Sequence, residues 1–68
     1  MHPLVLLRYE KGISQQQLAD ELGMYQGNVC SWEQGKVIPS SKSMYKLARY
    51  FEKDINELYQ IFPLDKKK

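Results

Sequence analysis

Apolar residues recur along this chain at three- and four-residue intervals, and the intervals are punctuated by glycine, proline and capping side chains. Pro3 suits a first helical turn, where its missing N–H is no loss. Leu4, Leu7, Arg8 and Lys11 then fall on one stripe until Gly12 ends the segment. Ser14 with Gln17 forms a capping-box pattern that opens a second helix, with Leu18, Ala19 and Leu22 facing inward and Gly23 as the stop. Val29, Trp32 and Glu33 keep helical spacing up to Gly35, which predicts a third helix of about ten residues, and Trp32 is expected in the core. After a loop from Lys36 to Pro39, Ser40 or Ser41 caps a fourth helix with Met44, Leu47, Ala48 and Phe51 on one face. Asp54 with Glu57 makes another capping-box pattern, followed by Ile55, Leu58, Tyr59 and Phe62 before Pro63. Nothing alternates with period two, so the expected fold is all-α, a compact bundle of five short helices.

Composition narrows the function. A chain of 68 residues has room for one small core, burying only about 60% of its unfolded surface. One Cys excludes an internal disulfide framework, and one His with one Cys cannot make a four-ligand zinc site. No metal and no cofactor are expected, and no small-molecule ligand is evident. The longest apolar run, Leu4 to Leu7, is far below the ~18 residues that would span a bilayer. With no membrane segment or export signal visible, a cytoplasmic location is expected. There is no phosphate loop and no nucleophile with a His beside it in a recognisable motif. Asp20 and Glu21, adjacent on a helix, point in different directions, so an enzyme is not expected.

Charge adds a constraint. The net charge is +2, yet Lys66, Lys67 and Lys68 supply three of the positive charges, and from Met1 to Leu64 seven basic residues face seven acidic ones. A nucleic-acid binder built this way must concentrate its positive charge on one face. Residues 1–64 are expected to form one domain, with residues 65–68 as a disordered lysine-rich tail.

The second helix, the short turn and the third helix form the informative unit. Two helices joined so tightly must cross steeply, which needs small and apolar residues placed as Ala19, Gly23 and Val29 are. To these add Ser14-Gln15-Gln16-Gln17-Leu18-Ala19, Glu33-x-Gly35-Lys36, Pro39, Leu47-Ala48 and Asp54-Ile55-Asn56-Glu57-Leu58. In this order and spacing, over about residues 4–59, the chain resembles the helix-turn-helix domain of the lambda-repressor and Cro-like family, the xenobiotic-response-element type.

That resemblance implies double-stranded DNA as the partner, a transcriptional regulator that represses, and major-groove reading by the helix Gln26–Gln34. The base-facing set it implies is Gln26, Gly27, Asn28 and Ser31, with Gln suited to bidentate pairing with adenine. Phosphate contacts are implied for Gln15, Gln16, Tyr25, Lys36, Ser41 and Lys42. Arg8 and Glu33 match a structural ion pair between the first and third helices. Three residues depart from the pattern: Gly27 stands where a reading side chain is common, Tyr25 stands at the N-cap where its ring caps poorly, and the third helix has no Arg or Lys for guanine. Contacts to A·T pairs are therefore expected to dominate. Cys30 has no basic neighbour in sequence to acidify it and reads as an inert small residue.

Family members bind as symmetric dimers, so a homodimer is implied, with half-sites about 10 base pairs apart. Tyr59, Ile61, Phe62 and Leu64 are the expected interface, and Val5, Leu6 and Tyr9 add apolar surface on the first helix. The alternative is a protein-interaction module, a partner binder resembling an antitoxin, with weak DNA affinity; neutral charge and Gly27 favour it.

Overall fold

His2 caps the first helix: its backbone is extended and its Nδ1 accepts the Leu4 N–H at 3.0 Å, while Pro3 has no N–H to satisfy. The computed structural model describes residues 1–62; residues 63–68, and with them Leu64 and the lysine-rich tail, lie outside the described residues. Helix α1 spans Pro3–Lys11 and stops at Gly12, whose φ of 69° is the left-handed conformation that a residue without Cβ adopts most easily.

Helix α2 spans Gln15–Leu22. Ser14 Oγ accepts the Gln17 N–H at 3.1 Å and Gln17 Oε1 accepts the Ser14 N–H at 2.8 Å, so the capping box forms as its spacing predicts. Gly23, Met24 and Tyr25 join it to α3, Gln26–Glu33, which is shorter than the ten residues its periodicity suggested. Tyr25 is the N-cap and makes no side-chain capping bond. Leu18, Ala19 and Leu22 of α2 are buried, as are Val29 and Trp32 of α3, and the two helices pack on each other. Helix α1 also packs on α3.

Helix α4 spans Ser41–Phe51 and α5 spans Ile55–Ile61. Ser40 caps α4 by accepting the Ser43 N–H at 3.2 Å, and Met44, Leu47, Ala48 and Phe51 form its buried face. The helix ends on Glu52 with φ 57°, a left-handed conformation adopted here without glycine. Asp54 opens α5 by accepting the Asn56 N–H at 2.8 Å. The Glu57 N–H goes to the Asp54 backbone carbonyl at 2.9 Å, so Asp54 caps the residue before the one the sequence pattern named.

The chain divides into two compact units, Met1–Val37 with α1 to α3, and a second beginning at Ile38 with α4 and α5. The fold is all-α, with five helices and no strand among the described residues.

One expectation needs correction. Phe62 is only 2% exposed, enclosed within its own chain. An aromatic ring already removed from water offers no further apolar surface to a partner, so Phe62 is a core residue rather than part of a dimer face. Tyr59 and Ile61 are half-buried.

Candidate nucleic-acid interface

Helix α3 presents two different faces. Val29 and Trp32 are buried, while Gln26, Gly27 and Asn28 are exposed on the first turn and Ser31 is half-buried one turn on. The spacing of Val29 and Trp32 fixes which side turns inward, and the polar residues follow from that choice. Gly27 has no positive φ, and a Cβ built on it would meet nothing within 4 Å, so neither backbone nor packing requires a glycine there.

Beneath this face lies an ion pair. Arg8 Nε donates to Glu33 Oε2 at 2.5 Å and Arg8 Nη2 to Glu33 Oε1 at 3.1 Å, a bidentate pair whose side chains are 9% and 6% exposed. Arg8 Nη1 also donates to the Ile13 carbonyl at 2.9 Å, so one guanidinium ties α1, the turn after it and the end of α3. The hydrogen bonding of Arg8 to the Glu33 carboxylate raises the Arg8 pKa above the ordinary arginine value despite desolvation, so the charged form is held.

The ion pair extends outward through two amides. Gln15 Nε2 donates to Glu33 Oε1 at 2.8 Å, and Gln26 Nε2 donates to Gln15 Oε1 at 2.5 Å. A continuous line therefore runs from a buried charge on α1 to the first residue of α3. Sequence reasoning placed Gln15 and Gln26 separately and missed that they touch. Eleven positions apart on different helices, they meet only because α2 and α3 cross tightly, which no local spacing encodes.

The other expected positions lie as follows. Gln16 is exposed, with its Nε2 donating to Asp20 Oδ1 at 2.9 Å, one turn along α2. Tyr25 is 85% exposed between α2 and α3. Lys36 is exposed just beyond α3, and its backbone N–H donates to the Ser31 carbonyl at 3.0 Å. Ser41 and Lys42 are the exposed first two residues of α4. Cys30 is half-buried. Among the described residues no cluster of three or more His, Cys, Asp or Glu is placed to hold a metal ion, and no helix is long and apolar enough to cross a membrane.

Comparison with known proteins gives one finding. A family model described as helix-turn-helix matches residues 5–58, most of the chain. No curated protein and no solved structure shows significant similarity to it. Helices α2 and α3 with their three-residue turn fall inside the matched span, and the chain belongs to the Cro/C1-type, lambda repressor-like helix-turn-helix family of DNA-binding transcription regulators.

Proposed function

We propose that this protein is a transcriptional repressor that lays α3 in the major groove of double-stranded DNA and occupies an operator without doing chemistry. The observation that carries this reading is the Gln15–Gln26 hydrogen bond. An exposed glutamine at the head of a helix would ordinarily sample many rotamers, and binding would have to freeze them at a cost of about 0.5–1.5 kcal/mol. Here the side chain is already held at the tip of a helix whose opposite face is buried, as base reading needs.

The base-facing residues are Gln26, Gly27, Asn28 and Ser31. With no Arg or Lys on α3, the commonest guanine contact is not available from it, and Gln26 pairing with adenine N6 and N7 is the strongest single readout. Phosphates are held by Lys36, Ser41 and Lys42, by Gln16 and Tyr25, and by the N-terminus of α2, where Gln15 offers its backbone N–H and its second amide proton. Two copies act together on half-sites about 10 base pairs apart, joined at the end of α5 by Tyr59 and Ile61.

Selection from a pool of random duplexes, repeated at several salt concentrations, tests the proposal. A palindromic site should be enriched, lost on Gln26→Ala, and weakened uniformly across sequences by Lys36→Ala, which should also lower the salt slope by about 1. Failure to enrich any duplex, with a protein partner bound instead, would replace this reading with an interaction module.

A further inference from the structure

We infer that the outward face of α4 is a docking surface for an acidic α-helix of another protein, centred on Tyr45 and Arg49. Helix α4 buries Met44, Leu47, Ala48 and Phe51 and leaves Lys42, Tyr45 and Arg49 exposed, with Lys46 half-buried beside them. The spacing i, i+3, i+4 and i+7 places these four side chains along one stripe about 10 Å long. From Ser41 to Phe51 the helix has three cations and no Asp or Glu. Lys42 and Lys46, one turn apart, repel each other, and Lys42 stands in the first turn, where the helix dipole favours an acid. Helix α4 therefore carries positive charge that its own electrostatics oppose, and an anion laid along the stripe relieves it.

The chemistry of the stripe selects the kind of anion. Arg49 Nη1 donates to the Tyr45 hydroxyl at 3.1 Å, and the guanidinium lies over the Tyr45 ring, 5.7 Å from its centroid. The two side chains are held together before binding, so less freedom is lost when a partner docks. Tyr and Arg are also the residue types that dominate protein–protein contacts, here as a broad ring beside a forked cation suited to a carboxylate. A facing helix repeats at the same pitch of about 5.4 Å. Glu or Asp residues on one of its faces therefore come opposite Lys42, Lys46 and Arg49 turn by turn, with an apolar side chain over Tyr45. A lipid surface fits less well, because a helix lying in a bilayer interface inserts its apolar face, and that of α4 is enclosed in the core. Lys42 is shared with the proposed phosphate contacts, whereas Tyr45 and Arg49 are not, so the inference goes beyond the reading of α3 and does not depend on it.

Fluorescence anisotropy tests this with a labelled, alanine-based helical peptide that has glutamates at i, i+4 and i+7 and leucine at i+3. The comparison is a peptide of the same composition whose glutamates are spread around the helix. The full chain should bind the one-faced peptide at least about fivefold more tightly than the spread one. Arg49→Gln and Tyr45→Ala should each weaken that binding about fivefold or more. Lys11→Gln, an equal loss of charge on α1, should change it by less than about twofold. Tyr45 and Arg49 are exposed, so circular dichroism of their variants should stay that of the unaltered chain. Equal affinity for the two peptides would reduce the stripe to unspecific charge attraction and overturn the inference, as would binding indifferent to Arg49→Gln and Tyr45→Ala. Should Arg49→Gln instead weaken binding to a duplex of arbitrary sequence and leave the peptide unaffected, the face belongs to nucleic acid and the inference falls. None of these results needs an enriched duplex, so the reading of α3 stands or falls separately.

Discussion

Glu33 puts a full negative charge on the helix proposed to face DNA, and Arg8 neutralises it within the fold. Replacing one partner of such a nearly buried pair leaves the other unpaired, which costs about 3–5 kcal/mol, a large share of the stability of a domain this small. Arg8→Met should therefore lower the urea midpoint sharply, and a midpoint within experimental error of the unaltered chain would show that the pair contributes little. The raised Arg8 pKa means that this residue stays charged throughout the accessible pH range and adds no pH dependence. His2 behaves differently. Partial burial lowers its pKa below the ordinary value of about 6.5, with the field of Glu33 working against that shift. A folded-state pKa below the unfolded one means that its stabilising contribution is complete above about pH 6.5 and is lost as pH falls through the lower folded value. Protonation also removes the Nδ1 acceptor that caps α1. The stability of the unaltered chain should fall more steeply from about pH 7 to about pH 5 than that of His2→Asn, which keeps a capping oxygen and does not titrate; equal slopes would contradict the cap. The Arg8–Glu33 match was legible only through the family register. The His2 cap and the Gln15 link were not legible, because histidine is not among the favoured capping residues and because side-chain contacts across a helix crossing leave no local pattern.

At the scale of elements, punctuation carried most of the information. Gly12 and Gly23, both with positive φ, stop α1 and α2 where the sequence says they should. Ser14 and Ser40 cap as their positions imply. The end of α4 was harder to read, since Glu52 takes a left-handed conformation that only tertiary context dictates. Helix α3 is the element where local propensity and proposed function disagree. It begins after Tyr25, an N-cap that makes no side-chain capping bond, and holds Gly27 in ordinary helical geometry with open space around it. Gly27→Ala should raise stability by up to about 1 kcal/mol, which for a domain of this size is about 4–8 °C in Tm. The added methyl also enters the space that DNA is proposed to occupy, so affinity for the enriched duplex should fall. A variant that is more stable and binds equally well would show that Gly27 does not serve close approach.

For the whole molecule, the sparse charge sets the expected physics of binding. Within Met1–Val37 the basic side chains are Arg8, Lys11 and Lys36, with Arg8 committed to Glu33. Lys42, Lys46, Arg49 and Lys53 belong to the second unit. If Lys36 and Lys42 carry the phosphate charge contacts, the logarithm of the binding constant should fall with the logarithm of salt with a slope near 2 per half-site. A much steeper slope would mean that more cations than these two lysines contact phosphate. Sequence foresaw the fold class well, because five helices need only five sets of start and stop signals. It could not place Phe62, which shares the apolar character of its neighbours: nothing in the sequence distinguishes a ring buried in its own chain from one buried in a partner. Sedimentation of the free protein and of the protein with a single enriched duplex should show one copy per half-site, and a single copy on a palindromic site would refute the dimer.

The head of α3 as the DNA-reading surface is tested most directly by titrating isotope-labelled protein with the enriched duplex and following amide signals by nuclear magnetic resonance. The side-chain amide of Gln26 and the backbone amides of Gly27 and Asn28 should shift most, with little change at the exposed α1 residues Leu6 and Tyr9. Large shifts confined to Leu6, Tyr9 and the end of α5, with Gln26 unmoved, would contradict it.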